Sequence, residues 1–373
     1  MSSRRRLLFV CPCTPDPQGT GWEQRAYAFL LGYSRLLDVD LWFTPSADNP
    51  DLVRLPSRPA LCRSITCFYP SALNDPESGL RARLFSHLSS ADVVHVFRMF
   101  EFVWNLRHQR IVWDIDELPW QLRPAGWGPG APATPADQLA QFSKVFAQCV
   151  GKCRVIIGCS PLERPDGCAR FVVVPNVVQS APSTEAAAAG QDIGVLFVGS
   201  LNHYPNTKGL LFFKDDVLPI LQGIEPGVRV DVVGRSPATD LTRAAVDRLR
   251  QDDRFRFSLD VPDCAPFYTR AAVSIAPIRS GGGTRVKIIE SFANRCPVVS
   301  TTKGCEGLEV RHDRELLVAD SPQEFAQACA RLLHDPALRH RIAEAAYGFF
   351  RREHSQEVVD ARLASTIGDL FQH

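Results

Sequence analysis

The sequence has no feature of a membrane-spanning or secreted protein. No window approaches the roughly 18 consecutive apolar residues that a membrane span requires. The apolar run Leu7–Cys13 is short and interrupted by proline, so it predicts a strand and not a signal peptide. We therefore expect a cytoplasmic protein. The basic cluster Arg4–Arg6 leaves two alternatives open, a peripheral contact with the inner face of a membrane or an ordinary solvated terminus.

An excess of charge of one sign is also lacking. The chain has 42 lysines and arginines against 41 acidic residues, which gives a formal net charge of +1 at pH 7. Without a net positive field there is no general attraction to polyanions, and we expect no nucleic-acid partner. The composition, 45% apolar and 22% charged, is that of an ordinary globular protein.

Paired cysteine motifs are missing although cysteine itself is not. The twelve cysteines include no Cys-x-x-Cys pair. Cys11 and Cys13 are separated by one residue, a spacing that suits neither a zinc site nor an easy disulfide. We predict that most of the twelve are buried, reduced thiols, as expected in the cytoplasm.

The pattern of apolar runs predicts two similar halves. A length of 373 residues exceeds what one core usually supports and predicts two domains with a cleft between them. Short β-type runs alternate with helical stretches, which indicates parallel sheets. In the first half the runs are Leu7–Val10, Asp40–Phe43, Val93–Phe97, Ile111–Asp114, Val155–Gly158 and Phe171–Val174. In the second half they are Val195–Val198, Val230–Val233, Val273–Ala276, Val298–Ser300 and Leu316–Val318.

The two series are separated by Ser180–Gly190, whose alanine-rich composition with proline predicts a linker. We therefore predict an α/β protein with two Rossmann-like, doubly wound parallel-sheet domains, 1–180 and 192–352. The stretch Pro124–Pro135, rich in glycine and proline, is either a border of the cleft or a surface excursion, and both interpretations remain open.

The most informative segment is a glycine loop between a strand and a helix. Gly281, Gly282 and Gly283 follow the strand that ends near Ala276, and a helix is expected from about Thr284. Consecutive glycines let backbone N–H groups converge on an anion, and the helix N-terminus favours negative charge. The segment predicts a diphosphate site. The alternative is a tight turn without a ligand.

Charged residues in the helix support the same interpretation. Arg285 and Lys287 lie in its first turn, where they add positive charge. Glu290, about two turns from the loop, is placed to accept hydrogen bonds from sugar hydroxyls, or is only a helix-surface charge. The spacing matches neither a P-loop nor a dinucleotide motif at the first strand of a domain.

The order of short motifs along the chain resembles the retaining, family 4 type glycosyltransferases of the GT-B architecture. The motifs are Leu196–Leu201, Tyr204–Asn206, Lys208-Gly209, Val232–Gly234, Asp260–Asp263, Pro297–Thr301 and Gly304–Gly307. The resemblance implies two Rossmann-like domains facing a cleft, with the donor in the second. It also implies that the helix at about 355–373 packs back on the first domain. Lys208 and Asn206 then face the diphosphate, and Val261 lies near the nucleotide base.

One departure from the family pattern concerns the transferred sugar. The usual signature has two glutamates separated by seven residues. Here Glu290 matches the second glutamate, whereas Gly282 takes the place of the first, which contacts the sugar in the family. The identity of the donor sugar is therefore left open by the resemblance.

The first half carries two further candidate sites. The loop with Gly19 and Gly21 resembles the family loop that faces the acceptor and the donor phosphate, and the alternative is an ordinary strand-to-helix turn. Asp116 stands where many members have a histidine that contacts the donor sugar. Its carboxylate is alternatively suited to orienting an acceptor hydroxyl, or is a strand-end cap. Asp114 and Asp116 form an Asp-x-Asp pair, but not in the single-domain context of metal-dependent glycosyltransferases.

The resemblance implies a reaction without metal or cofactor. A nucleotide diphosphate leaves the sugar, its developing charge is met by Lys208, Arg285 and Lys287, and the anomeric configuration is retained. The expected partners are a nucleotide sugar and a glycan or lipid-linked acceptor, in envelope or exopolysaccharide assembly. Two alternatives remain open: a nucleotide-sugar epimerase, and a non-catalytic scaffold that binds a nucleotide sugar.

Overall fold

The computed structural model describes residues 4–45, 59–73, 75–116, 136–179 and 193–372. The predicted linker Ser180–Gly190 and the stretch Pro124–Pro135 lie outside these residues. The described residues form two compact units. The first contains the described residues up to Gln179 together with 356–372, and the second contains 193–355.

The first unit is built on a seven-stranded sheet in which every pair of neighbouring strands is parallel. The sheet order is β3-β2-β1-β4-β5-β6-β7. The strands are β1 Arg6–Cys11, β2 Asp38–Phe43, β3 Ser64–Cys67, β4 Val93–Phe97, β5 Ile111–Asp114, β6 Val155–Gly158 and β7 Phe171–Val173. The helices are α1 Gly21–Leu36, α2 Leu80–Ser90, α3 Phe100–Asn105, α4 Ala136–Lys152 and α12 Gln356–Leu370.

The second unit is built on a six-stranded parallel sheet with the order β10-β9-β8-β11-β12-β13. The strands are β8 Ile193–Val198, β9 Val230–Gly234, β10 Phe255–Leu259, β11 Ala271–Ala276, β12 Val298–Ser300 and β13 Leu317–Val318. The helices are α5 Tyr204–Phe212, α6 Leu218–Ile224, α7 Asp240–Arg250, α8 Ala265–Arg270, α9 Val286–Ala293, α10 Pro322–His334 and α11 Pro336–Glu353.

The central strands are continuous apolar runs because helices cover both faces of each sheet. In β1 the residues Leu7–Cys11 are all buried, and in β8 Val195–Val198 are buried as well. A strand buried on both faces needs apolar side chains in both directions, which is why these runs were visible in the sequence. The strands β3 and β10 were not predicted, because polar residues interrupt their short apolar runs, Ser64 and Thr66 in β3 and Arg256 and Ser258 in β10.

Each sheet reverses its order once, between β1 and β4 in the first unit and between β8 and β11 in the second. In an open parallel sheet the connections on the two sides of such a reversal leave toward opposite faces. Ligands bind in the crevice that this opens beyond the carboxyl ends of the strands. A ligand site is therefore expected at each of the two reversal points.

The cysteines form no disulfide bonds. All twelve thiols are free, and each is buried or half-buried, as the sequence predicts.

Within the described ranges, the structure contains no helix with the length and apolarity that a bilayer crossing demands.

The last helix belongs to the first unit. α12 packs along α1, where Gln356 donates a hydrogen bond to the Ala28 carbonyl oxygen at 3.0 Å. Gly32 of α1 has no space for a side chain, because an added Cβ would lie 2.8 Å from Leu363. Leu363 is fully buried in the same cluster as the β1 side chains.

We predict that Leu363→Ala lowers the free energy of unfolding of the first unit by about 2–5 kcal/mol, because it opens a cavity between α12 and α1. The neighbouring exposed residue supplies a matched control, Arg362→Ala, which should change stability little. Denaturant unfolding followed by circular dichroism compares the two. Equal midpoints for the variants would show that α12 contributes no packing to the unit.

Candidate functional site

The candidate site lies at the reversal point of the second sheet. The chain leaving β8 passes through Gly199 and Ser200 into α5, and the chain leaving β11 passes through the glycine loop into α9. These two connections flank the crevice between β8 and β11. Side chains from both can therefore meet over the carboxyl ends of the strands.

Lys287 joins the two connections. Its Nζ donates a hydrogen bond to Asn206 Oδ1 at 2.9 Å, and Asn206 Nδ2 in turn donates to the Ser200 carbonyl oxygen at 2.8 Å. The ammonium group lies 3.9 Å from the centre of the Phe197 ring. A Cβ on Gly199 would lie 2.9 Å from Nζ, so a side chain at this position would displace the ammonium group. The predicted residues Lys287 and Asn206 are thus in direct contact.

The surroundings of Lys287 disfavour its charge. Burial, followed by the nearby positive charge of Arg285, holds the pKa of Lys287 well below its usual value, and Glu290 only partly opposes this. The hydrogen-bond partner of the ammonium group is a neutral amide. An anionic ligand at this place would restore the pKa of the lysine, as expected for a site that binds negative charge.

The glycine loop delays the start of the following helix. α9 begins at Val286, and Arg285 is its extended N-cap residue. Gly281 and Gly283 have φ angles of 93° and 72°, which turn the chain away from a helical path and which side chains rarely adopt. The predicted start near Thr284 is therefore corrected by two residues.

The Arg285 side chain folds back onto this loop. Its guanidinium donates hydrogen bonds to the carbonyl oxygens of Gly282 and Ser280, the latter at 3.3 Å. Arg285, Gly282 and Thr284 are buried. Part of the arginine's hydrogen-bonding capacity thus fixes the loop, a role that the sequence did not predict.

Glu290 is held by a buried tyrosine. The Tyr268 hydroxyl donates to Glu290 Oε2 at 3.0 Å, and Tyr268 is 1% exposed. Burial and the neighbouring carboxylate raise the pKa of Tyr268 well above its ordinary value, so the phenol remains a donor. The carboxylate of the half-buried Glu290 is therefore fixed in position on α9.

His203 is a component of the site that sequence reasoning missed. It is the N-cap residue of α5, directly before the Tyr204–Asn206 motif. Burial and the positive charges of Arg285 and Lys287 lower the pKa of His203 to about 4. The only signal in the sequence was its position between a strand end and a predicted ligand residue, since Arg285 and Lys287 are distant along the chain.

Two further predicted residues belong to the second unit. Lys208 is exposed on α5, two residues after Asn206. Val261 is half-buried and packs against the apolar cluster that contains Leu196 and Val198. Their roles at a ligand remain predictions.

The predicted residues of the first unit lie at its own reversal point. Gly19 precedes the N-cap Thr20, and α1 begins at Gly21. The carbonyl oxygen of Gly19 accepts a hydrogen bond from Gln24 Nε2 at 3.0 Å. The Asp116 carboxylate is 3.4 Å from the Arg98 guanidinium, and the Asp116 carbonyl oxygen accepts from the same group at 2.8 Å.

Asp114 is engaged by a buried arginine. Arg25 Nε and Nη2 donate to its two carboxylate oxygens at 2.8 and 3.0 Å, and both residues are 1% exposed. Burial outweighs the arginine and raises the pKa of Asp114 to about 6. Among the residues described, no group of three or more histidine, cysteine, aspartate or glutamate side chains is arranged as a metal site.

Comparison with known sequences points to one family. Residues 192–335, all within the second unit, match the family model described as glycosyl transferases group 1. A relative, an uncharacterized 44.6 kDa protein in the cps region of Klebsiella pneumoniae, is 24% identical over 168 residues. This match covers 44% of the chain and 43% of the relative, less than half the length of either.

Solved structures share the fold over nearly the whole chain. Sucrose-phosphate synthase from Thermosynechococcus elongatus has a TM-score of 0.74 at 16% identity, covering 99% of this chain and 100% of that one. HepE from Anabaena, solved in complex with UDP, has a TM-score of 0.69 at 14% identity, with coverages of 98% and 100%. The predicted fold class, two parallel-sheet α/β domains of the GT-B type, is confirmed.

The pKa of His203 leads to a prediction about acid stability. A histidine in the unfolded chain has a pKa near 6.5, so between about pH 6.5 and 4 the unfolded state binds the proton and the native state does not. Stability is therefore lost as the pH falls through this window, by up to about 3 kcal/mol. We expect His203→Gln to remove this loss, measured as unfolding free energy against pH. Identical pH profiles for the variant and the wild type would contradict a neutral His203 in the folded protein.

Proposed function

We propose that this chain, whose residues 192–335 match the family model described as glycosyl transferases group 1, transfers a sugar from a nucleotide diphosphate sugar to a glycan or lipid-linked acceptor. One observation carries the proposal. Within the matched segment, the connections after β8 and β11 bring His203, Arg285 and Lys287 to the reversal point of a parallel sheet, where burial and the neighbouring positive charges lower the pKa of His203 and of Lys287. Such a cluster is suited to a diphosphate, whose negative charge relieves the repulsion.

In the proposed mechanism the protein stabilises the leaving nucleotide. As the bond between the anomeric carbon and the diphosphate oxygen breaks, negative charge develops on that oxygen. Lys287 is held ready by Asn206, so its ammonium group needs little reorganisation to meet this charge. Arg285 and the N-terminus of α9 contribute the same sign of potential. Lys208 joins them at the diphosphate, as the family resemblance implies.

Glu290 is proposed to accept hydrogen bonds from hydroxyls of the donor sugar. Its attachment to Tyr268 fixes one carboxylate oxygen and thereby the direction of the other. Gly282, in the place of the first family glutamate, offers only backbone to the sugar, while Gly281, Gly283 and Thr284 shape the remainder of the loop. Val261 is proposed to lie near the base.

The reaction is proposed to retain the anomeric configuration and to use no metal, because lysine and arginine supply the positive charge that a metal would bring. In the first unit, Asp116 and the loop of Gly19 and Gly21 are assigned to the acceptor side.

Related proteins suggest a context. The Klebsiella pneumoniae relative is named for its cps region, and the Anabaena structure contains UDP. These names support polysaccharide biosynthesis as the process and UDP as the first nucleotide to test. Contact of the protein with the inner face of a membrane remains a prediction.

The first test is thermal stabilisation by UDP, GDP and ADP and by their sugars. We expect one nucleotide to stabilise the protein by about 2.7 kcal/mol at a hundredfold excess over its Kd. Lys287→Ala should weaken the binding of that nucleotide at least tenfold, which is about 1.4 kcal/mol, because the diphosphate loses a fixed cation. Glu290→Ala should weaken the binding of the nucleotide sugar more than that of the free nucleotide, since only the sugar reaches that carboxylate.

A matched control comes from Lys214, which lies just after the carboxyl end of α5, whereas the site is at the amino end. Lys214→Ala should bind like the wild type. No stabilisation by any nucleotide would overturn the donor site. Binding without release of nucleotide diphosphate in the presence of cell-derived lipid and glycan acceptors would instead favour the non-catalytic scaffold.

A second test concerns the stereochemistry and the metal. Proton NMR of the newly formed glycoside should show the same anomeric configuration as the donor. The rate of nucleotide release should be unchanged after dialysis against EDTA, since Lys287 and Arg285 carry the charge. An inverted product, or activity that disappears with EDTA and returns with a divalent cation, would refute these two parts of the proposal.

A further inference from the structure

The first unit has a reversal point of its own, between β1 and β4. The chain leaving β1 reaches Trp22 in the first turn of α1, and Arg98 directly follows β4. Asp116 lies just beyond β5, the next strand. These three residues thus come from the connections around the crevice where an open parallel sheet binds ligands.

Trp22 is an exposed aromatic residue in an otherwise buried turn. It is 45% exposed, whereas Glu23, Gln24 and Arg25, the residues that follow it, are all buried. The Arg98 guanidinium carbon lies 3.7 Å from the centre of the indole ring. This cation–π contact holds the ring in one orientation and leaves a large apolar surface open to solvent.

Arg98 and Asp116 adopt unusual backbone conformations. Their φ angles are +64° and +23°, in the left-handed region that costs a side-chain-bearing residue about 1–3 kcal/mol. Neighbouring groups fix Arg98 there: its N–H donates to the Asp114 carbonyl oxygen at 2.7 Å, and its carbonyl oxygen accepts from Trp113 Nε1 at 2.8 Å. Strain of this kind persists where a precise side-chain position matters. Here the strained backbone places the Arg98 guanidinium against both Asp116 and Trp22.

The charges at this place are balanced, unlike those of the second unit. Arg98 faces the Asp116 carboxylate at 3.4 Å, and the buried Arg25 is paired with Asp114. A phosphate would find no excess positive charge here. A neutral polyhydroxylated ring matches the surface better, because its C–H face can cover the electron-rich indole face while its hydroxyls bond to the guanidinium and carboxylate.

We propose that Trp22, Arg98 and Asp116 form a binding site for a neutral sugar ring. If the proposed function holds, on which this assignment rests, that ring belongs to the acceptor, and the site would select a glycan end over a phosphorylated lipid head. Trp22 supplies the stacking surface, and Arg98 and Asp116 set which hydroxyls are recognised.

The experiment uses the full chain with methyl glycosides of glucose, galactose, mannose and N-acetylglucosamine as probes. Saturation-transfer NMR should show at least one glycoside bound through the C–H protons of one ring face. Trp22→Ala should weaken the binding of this glycoside at least tenfold, whereas Trp22→Phe, which keeps an aromatic face, should retain most of the binding. Because Trp22 is exposed, both variants should fold, which the unfolding midpoint verifies.

The control is Trp104→Ala. Trp104 is likewise exposed, at 38%, and has the Lys152 ammonium 5.1 Å from its ring, but it lies near the end of α3. The Trp104→Ala variant should bind glycosides like the wild type. Equal binding by Trp22→Ala and wild type, or no saturation transfer to any of the four glycosides, would overturn the site. UDP binding measured on the same samples reports separately on the second unit, so failure here is distinguishable from failure of the proposed function.

Discussion

The parallel direction of every strand is the constraint on which both candidate sites depend. It brings the carboxyl ends of all strands in a unit to one edge, and the single reversal of strand order opens a crevice at that edge. In the second unit the crevice brings Asn206 together with Lys287, which is 81 residues further along the chain. In the first unit the same geometry brings Arg98 over Trp22. Neither contact would exist without the long connections that parallel strands require.

The two edges differ in their charge balance, and this difference separates their proposed ligands. In the first unit, Arg25 and Arg98 each have an aspartate within reach, so the arginines are satisfied without a ligand. In the second unit the partner of Lys287 is an amide, and the pKa of the lysine is lowered. The free protein therefore gives up some stability at this place, a cost that the proposed diphosphate would offset. Sites that bind charge strongly are often those that lack internal compensation.

The sequence was sufficient to predict features that depend on local patterns, but not those that depend on contacts between distant segments. Central strands such as β4 and β5 were predicted with their observed bounds, because burial on both faces demands an apolar run. The strands β3 and β10 were missed, because polar residues interrupt their apolar runs. The glycine loop was visible, yet the return of Arg285 onto it and the proximity of charges to His203 follow only from the folded arrangement.

The glycine at position 282 acquires a physical meaning from this arrangement. A glutamate there, as in the usual family signature, would put a carboxylate on the loop whose carbonyl oxygen binds Arg285. It would attract the guanidinium and reduce the positive potential around Lys287. With glycine at this position, the Arg285 guanidinium bonds to the loop backbone, and the cluster of Arg285 and Lys287 keeps its positive charge. In the proposed donor site, recognition therefore shifts from a side-chain contact with the sugar toward attraction of the diphosphate, and Glu290, fixed by Tyr268, becomes the carboxylate that distinguishes one sugar from another.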